Sequence, residues 1–306
     1  MKIERKNHKL LLSALLLILS ATIALCVFLL LTPNNKEPSH EDIPKVEPSE
    51  EEPVVNPEPV VKQPAKVDFQ PVVDEWADSV AGDKGIVIYD LDRDEVTASY
   101  NPDDKFATAS IYKLFVVYEG YRLLEDKEWR ADDPAGSTGY TIAKCLDLAI
   151  RESNSSCAET LWAKIGHDNL EDIVKNDFDL ANTYVEDLLS TPMDVMSMMK
   201  RYYYHNDIND PMLVEQMKDS FLNQPKTEYD WRQGLPSGFE VANVYNKVGW
   251  EYVPDGGYWW IYDDAAIVEF PEQDRNFIVV VMTNKIDYKQ IRRLGQDIEK
   301  AFLDTI

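Results

Sequence analysis

Apolar residues are distributed along the chain in three regimes. Residues 10–32 read LLLSALLLILSATIALCVFLLLT, 23 positions without a charge. As a helix they would rise about 34 Å, enough for a hydrocarbon core of about 30 Å. Residues 33–66 hold eight prolines and eight acids, with no periodic apolar pattern. That stretch is predicted to be disordered and extended, partly polyproline II, because it cannot bury a core. From residue 67 the periodicity becomes that of a folded protein. Phe69, Val72, Val73 and Trp76 predict a helix over 68–79, and strands follow at 85–90 and 95–100. A long helical pattern covers 109–125, with shorter ones at 142–150, 155–165, 169–175, 192–203 and 212–222. Strand patterns return at 244–248, 258–262, 265–270 and 277–283, and a helix over 288–303 closes the chain. Strands at both ends with helices between them imply one sheet assembled from distant segments, with a helical insert.

Charge gives these regimes an orientation. Lys2, Arg5, Lys6 and Lys9 against Glu4 make 1–9 a basic tail before the apolar run. The expectation is a cytoplasmic tail (1–9), a single-pass transmembrane anchor in the cell membrane (10–32), a Pro/Glu-rich linker (33–66) and an extracytoplasmic domain (67–306). A cleaved signal peptide fits less well, since the run exceeds a normal apolar region and Pro33 follows without a small-residue cleavage site. Of the formal net charge of −24, −23 falls on residues 67–306. A surface that acidic repels phosphate backbones, which excludes nucleic acid as a partner.

Cysteine and histidine narrow the chemistry. Cys26, Cys145 and Cys157 form no CxxC pair, so neither a disulfide framework nor a structural zinc site is expected. Whether Cys145 and Cys157 pair is left open. His167 and His205 are the domain's histidines, and neither sits in an HExxH pattern nor accompanies a GxSxG elbow. An enzyme here would use a base other than histidine, with no metal and no cofactor.

Three short motifs offer such a base. Ser110-Ile111-Tyr112-Lys113 at a predicted helix start puts a hydroxyl and an amine one turn apart on one face. A buried lysine can shed its proton and activate the serine. Ser153-Asn154-Ser155, between two helical stretches, offers a hydroxyl to shuttle a proton. Lys247-Val248-Gly249-Trp250 lies in a late strand. There Lys247 supplies positive charge, Gly249 permits close approach of a ligand backbone, and the Trp250 N–H can face a developing oxyanion. Aromatic residues Trp250, Tyr252, Tyr258, Trp259, Trp260 and Tyr262 follow, read mainly as strand packing except for Trp250.

In this order the motifs resemble the penicillin-recognising serine hydrolases, most of all the class A β-lactamases. Phe106 to Leu114, Ser190-Thr191-Pro192-Met193-Asp194, residues 234–242 and residues 263–268 extend the resemblance over about 67–306. It implies an α/β fold in the broad sense, an α+β sandwich with an antiparallel sheet flanked by helices and a helical insert. Carried over, Ser110 is the acylated nucleophile, Lys113 its base, Ser153 the proton shuttle and Lys247 the electrostatic anchor. Ser155, Gly249 and Trp250 would bind substrate, with the N–H groups of Ser110 and Trp250 forming the oxyanion hole.

Three departures matter. Ser155 replaces the Asn of the family's S-x-N, Val248 replaces a hydroxyl residue after Lys247, and no ExxLN motif precedes Thr191-Pro192. Asp177 or Asp179 would have to replace that motif's deacylating glutamate. The expected activity is hydrolysis of a β-lactam or related amide through an acyl-serine, with antibiotic resistance or cell-wall chemistry as its setting. The alternatives are a D,D-peptidase or penicillin-binding protein acting on acyl-D-Ala peptidoglycan peptides, and a binding module that has lost the chemistry.

Overall fold

The computed structural model describes residues 63–224, 230–254 and 258–305, with backbone alone at 253, 254 and 258–260. The predicted tail, anchor and most of the linker lie outside these residues. Among the described residues, no helix is long and apolar enough to cross a membrane. The end of the predicted linker already belongs to the folded unit. Arg93 donates to the Pro64 carbonyl at 2.8 Å and Arg275 to that of Ala65 at 2.9 Å.

Five antiparallel strands form the sheet, in the order β2-β1-β7-β6-β5. They are β1 (Asp83–Asp90), β2 (Glu95–Tyr100), β5 (Asn243–Pro254), β6 (Tyr258–Phe270) and β7 (Arg275–Asn284). A two-residue ladder pairs β3 (Phe106–Ala107) with β4 (Leu189–Ser190). Helices α1 (Gln70–Ser79) and α8 (Tyr288–Thr305) cover one face of the sheet. Phe69, Val73, Trp76, Leu294, Ile298 and Phe302 bury there against Ile86, Ile88, Val279 and Val281. The other face carries Val87, Ala265, Ile267 and Val280 and packs against the helical insert.

That insert comprises α2 (Lys113–Glu125), α3 (Ile142–Arg151), α4 (Ser155–Ile165), α5 (His167–Asn176), α6 (Pro192–Tyr204) and α7 (Pro211–Leu222). Its axis is α2, buried continuously from Lys113 to Tyr121. Local chemistry sets the helix starts: Asn154, Thr191 and Asp210 each accept a backbone N–H as N-caps of α4, α6 and α7. Proline sits at the start of α6 and α7, where its missing N–H costs nothing.

Two expectations are corrected. The predicted strands 258–262 and 265–270 are one 13-residue strand, β6. Asp263 and Asp264, between the two ranges, are both buried and held. Asp264 accepts from Asn246 Nδ2 at 2.9 Å and Leu235 N at 2.8 Å, and Asp263 Oδ1 accepts from Thr283 N at 2.8 Å. The helix predicted over 109–125 begins as a 3-10 turn, Ala109–Tyr112. The antiparallel α+β architecture otherwise stands as expected.

Candidate active site

The nucleophile turn is fixed from both sides. Thr108 N donates to Leu188 O at 2.8 Å, and Ile111 N donates to Thr108 O at 2.7 Å. Ala109 sits at φ 40°, a left-handed conformation costly for a residue with a Cβ and typical of sites that hold a group in one pose. In a 3-10 turn residues i and i+3 eclipse, so Ser110 and Lys113 are stacked by the backbone itself.

The Lys113 side chain is fully buried, and its Nζ lies 3.0 Å from Ser110 Oγ. It also lies 2.6 Å from Ser153 O, 3.3 Å from Ser153 Oγ and 3.0 Å from Ser155 Oγ. Burial lowers its pKa to about 8, and the Glu159 carboxylate acts weakly the other way. Ser153 closes the turn between α3 and α4 at φ 54°. Its hydroxyl is shared, because the equally buried Lys247 donates to it at 2.9 Å and to Val248 O at 2.6 Å. Burial pushes the Lys247 pKa well down, and the nearby Lys113 charge adds to that. One hydroxyl oxygen thus joins two amines from elements 134 positions apart in sequence.

Gly249 is where β5 meets the nucleophile turn. A Cβ there would lie 2.7 Å from Thr108 O, 2.9 Å from Ile111 Cγ1 and 3.0 Å from Asp263 Oδ2. The close approach expected of a ligand is therefore made by the protein's own turn, which brings Ser110 to the sheet edge. Trp250 follows on the same strand. Alternation along β5 puts its ring on the face opposite Lys247, 5.9 Å from the Trp231 ring and 6.3 Å from that of Tyr262. The expectation that the Trp250 ring lines the site is corrected; its backbone remains beside the turn. Side chains of Tyr258, Trp259 and Trp260 lie outside the described residues.

Ser110, Lys113, Ser153, Ser155 and Lys247 are thus gathered, but Ser155 does more than expected, its hydroxyl being a direct Lys113 contact. The candidate loop acids are not gathered. Asp177 pairs with Arg122 at 3.4 Å, and Arg122 stands nine residues beyond Lys113 on α2, about 14 Å along the axis. Asp179 makes no hydrogen bond or ion pair to Ser110 or Lys113. His167 stacks on Trp162 at 4.4 Å and His205 ends α6, and neither makes a hydrogen bond to Ser110 or Lys113 among the described residues. A cavity of about 770 Å³ lined by Lys84, Lys105, Phe106 and Ala107 contains none of the gathered residues.

One pairing left open by the sequence is settled, and one feature was missed in it. Cys145 and Cys157 form a disulfide that clamps α3 to α4, with the Ser153 turn inside the closed loop. Tyr112, next to Lys113, donates its hydroxyl to the Glu159 carboxylate. Glu159 stands four positions after Ser155, on the same face of α4, which was the available signal.

A buried amine within hydrogen-bond reach of a serine hydroxyl, with a second lysine reaching the same proton path, defines a serine hydrolase of the penicillin-recognising class. The chain belongs to the beta-lactamase enzyme family, whose model matches residues 68–302. Solved structures share the fold at low identity. The class A beta-lactamase of the last common ancestor of Gram-negative bacteria is 16% identical, with a TM-score of 0.64 over 76% of this chain and 99% of that one. PBP-A is also 16% identical, with a TM-score of 0.64 over 79% of this chain and 100% of its own. A beta-lactamase from Chitinophaga pinensis is 15% identical, with a TM-score of 0.63 over 76% and 97%. No curated protein matches the chain by sequence.

Proposed function

We infer that the protein is a membrane-anchored, extracytoplasmic hydrolase that opens β-lactams or related amides through an acyl-serine on Ser110. The observation that carries this reading is the 3.0 Å contact between Ser110 Oγ and the buried Lys113 Nζ. Four oxygens surround that nitrogen, one more than an ammonium has protons to give. A neutral amine can accept the Ser110 proton while donating to the Ser153 carbonyl and Ser155, the longer 3.3 Å approach of Ser153 Oγ being left to Lys247. Ser110 Oγ then attacks the amide carbon, its proton passing to Lys113. The Ser110 and Trp250 N–H groups face the developing oxyanion. Ser153, bridged to both lysines, returns a proton to the leaving nitrogen as the C–N bond breaks.

Export is supported by the basic tail and charge-free stretch of residues 1–32 and by the Cys145–Cys157 bond, which persists in oxidising compartments. A second reading, a D,D-peptidase or penicillin-binding protein that keeps its acyl group, is favoured by the engagement of Asp177 with Arg122. The purified full chain, incubated with benzylpenicillin and followed by intact mass, tests both. A transient adduct absent from Ser110→Ala is expected. A persistent adduct selects the second reading, and no adduct removes β-lactams as substrates.

A further inference from the structure

Hydrolysis of an acyl-serine needs a base for the attacking water, and Asp177, the first candidate for it, is paired with Arg122 instead. We propose that Glu159 on α4, anchored by the Tyr112 hydroxyl and one turn beyond Ser155, is the general base that deacylates Ser110. This rests on the acyl-serine reading above and extends it to the second half-reaction.

The placement follows from three contacts. Ser155 Oγ lies 3.0 Å from Lys113 Nζ, so the first turn of α4 borders the reacting centre. Glu159 follows Ser155 by four residues, which sets it about 6 Å further along the same face. Tyr112, the residue between Ser110's turn and Lys113, then reaches across to hold the carboxylate, fixing it against the nucleophile's own backbone. The carboxylate is close enough to Lys113 for its charge to be felt there.

The environment suits a base. Glu159 is exposed, so water reaches it, whereas Tyr112 beneath it is buried. Among the described residues the Tyr112 hydroxyl is its one hydrogen-bond partner, and no cation pairs with it. One carboxylate oxygen is held by the tyrosine, leaving lone pairs for a water proton. Glu171 and Asp177 contrast with this. Glu171 accepts from Val185 N at 2.6 Å and pairs with Lys175 at 2.6 Å, and Asp177 pairs with Arg122.

The step balances. Glu159 takes a proton from water while the water oxygen bonds to the acyl carbon. The tetrahedral intermediate collapses with cleavage of the carbon–Ser110 Oγ bond, while the proton Glu159 took from water passes to Lys113, and the resulting ammonium protonates Oγ. The products are a free acid and the original enzyme.

The test compares the full chain with Glu159→Gln and Glu159→Asp, each mixed with benzylpenicillin and quenched over time for intact mass. Glu159→Gln is expected to acylate Ser110 within about threefold of the wild-type rate but to lose the adduct at least 10²-fold more slowly. Glu159→Asp should recover part of that loss. A Glu159→Gln adduct that decays at the wild-type rate overturns the proposal, as does a wild-type adduct that never decays. Loss of acylation in Glu159→Gln overturns it too, placing the residue in the first half-reaction. No adduct on the wild type overturns the acyl-serine reading itself for this probe, a result separate from the others.

Discussion

The nucleophile side of the site and the segment at 177–190 use charged groups in opposite ways. On the nucleophile side, two lysines are buried without carboxylates in contact, their nitrogens set on serine oxygens. In the 177–190 segment and the helices flanking it, Asp177 meets Arg122, Glu171 caps the Val185 N–H, and Asp194 accepts from Asn182 N and Thr183 Oγ1 at 2.8 and 2.9 Å. The first arrangement gives up stability to keep amines reactive; the second uses acids to hold backbone. The groups proposed for acylation are therefore built into the fold's interior, while the acids proposed to deacylate lie nearer the surface.

The sharpest way to break this contrast is Lys113→Ala. Adduct formation with benzylpenicillin should fall about 10²–10⁴-fold, the range for removing a general base. In the wild type, acylation should rise with pH and level off above about 8, since burial depresses the Lys113 pKa and only the neutral amine accepts a proton. The same depression makes the unfolded chain the better proton binder between about 8 and 10.5. This group's contribution to stability thus increases with pH across that window, readable as a rising denaturant midpoint. A flat acylation profile would contradict the assignment.

Gly249→Ala tests whether the nucleophile side depends on the contact of β5 with the turn. Its Cβ would meet Thr108 O at 2.7 Å, a backbone atom that cannot swing aside. We expect acylation to drop about 10²-fold, as for a displacement near 1 Å, measured by stopped quench. Replacing both Cys145 and Cys157 by Ser releases a loop with a sequence separation of 12. That should cost about 3 kcal/mol in a denaturant titration, with a smaller loss of acylation through the loosened Ser153 turn. Asp177→Asn is the smallest change. Its ion pair is exposed, so stability should fall by about 1 kcal/mol or less while both half-reactions keep their rates. A slowed deacylation there would return the 177–190 segment to the chemistry.

Much of this was legible in the linear sequence because it depends on local spacing. Ser110 and Lys113 are brought together by a single turn, and Lys247, Gly249 and Trp250 were read onto one late strand. The helices read at 155–165 and 192–203 match α4 and α6 closely. What was not legible depends on tertiary partners. The Ser155–Lys113 contact needs the α3–α4 turn folded onto α2. Burial of Asp263 and Asp264 in mid-strand needs Thr283, Asn246 and Leu235, supplied from elsewhere in the fold. The Trp250 ring was assigned by motif rather than by alternation, and alternation prevailed. Two-residue strands β3 and β4 carry too few residues to show a period.

Two amines bracketing one hydroxyl form a site whose charge limits itself. Burial lowers the Lys247 pKa and the Lys113 charge lowers it further, so loss of the Lys113 proton makes the Lys247 proton harder to remove. As Lys113 becomes a base, Lys247 becomes a firmer cation. In a chain of net charge −24, two buried amines set on one serine oxygen give the interior beside Ser110 a basic character that the surface lacks. An anionic substrate repelled by the surface at large would meet N–H donors there, at the reacting serine.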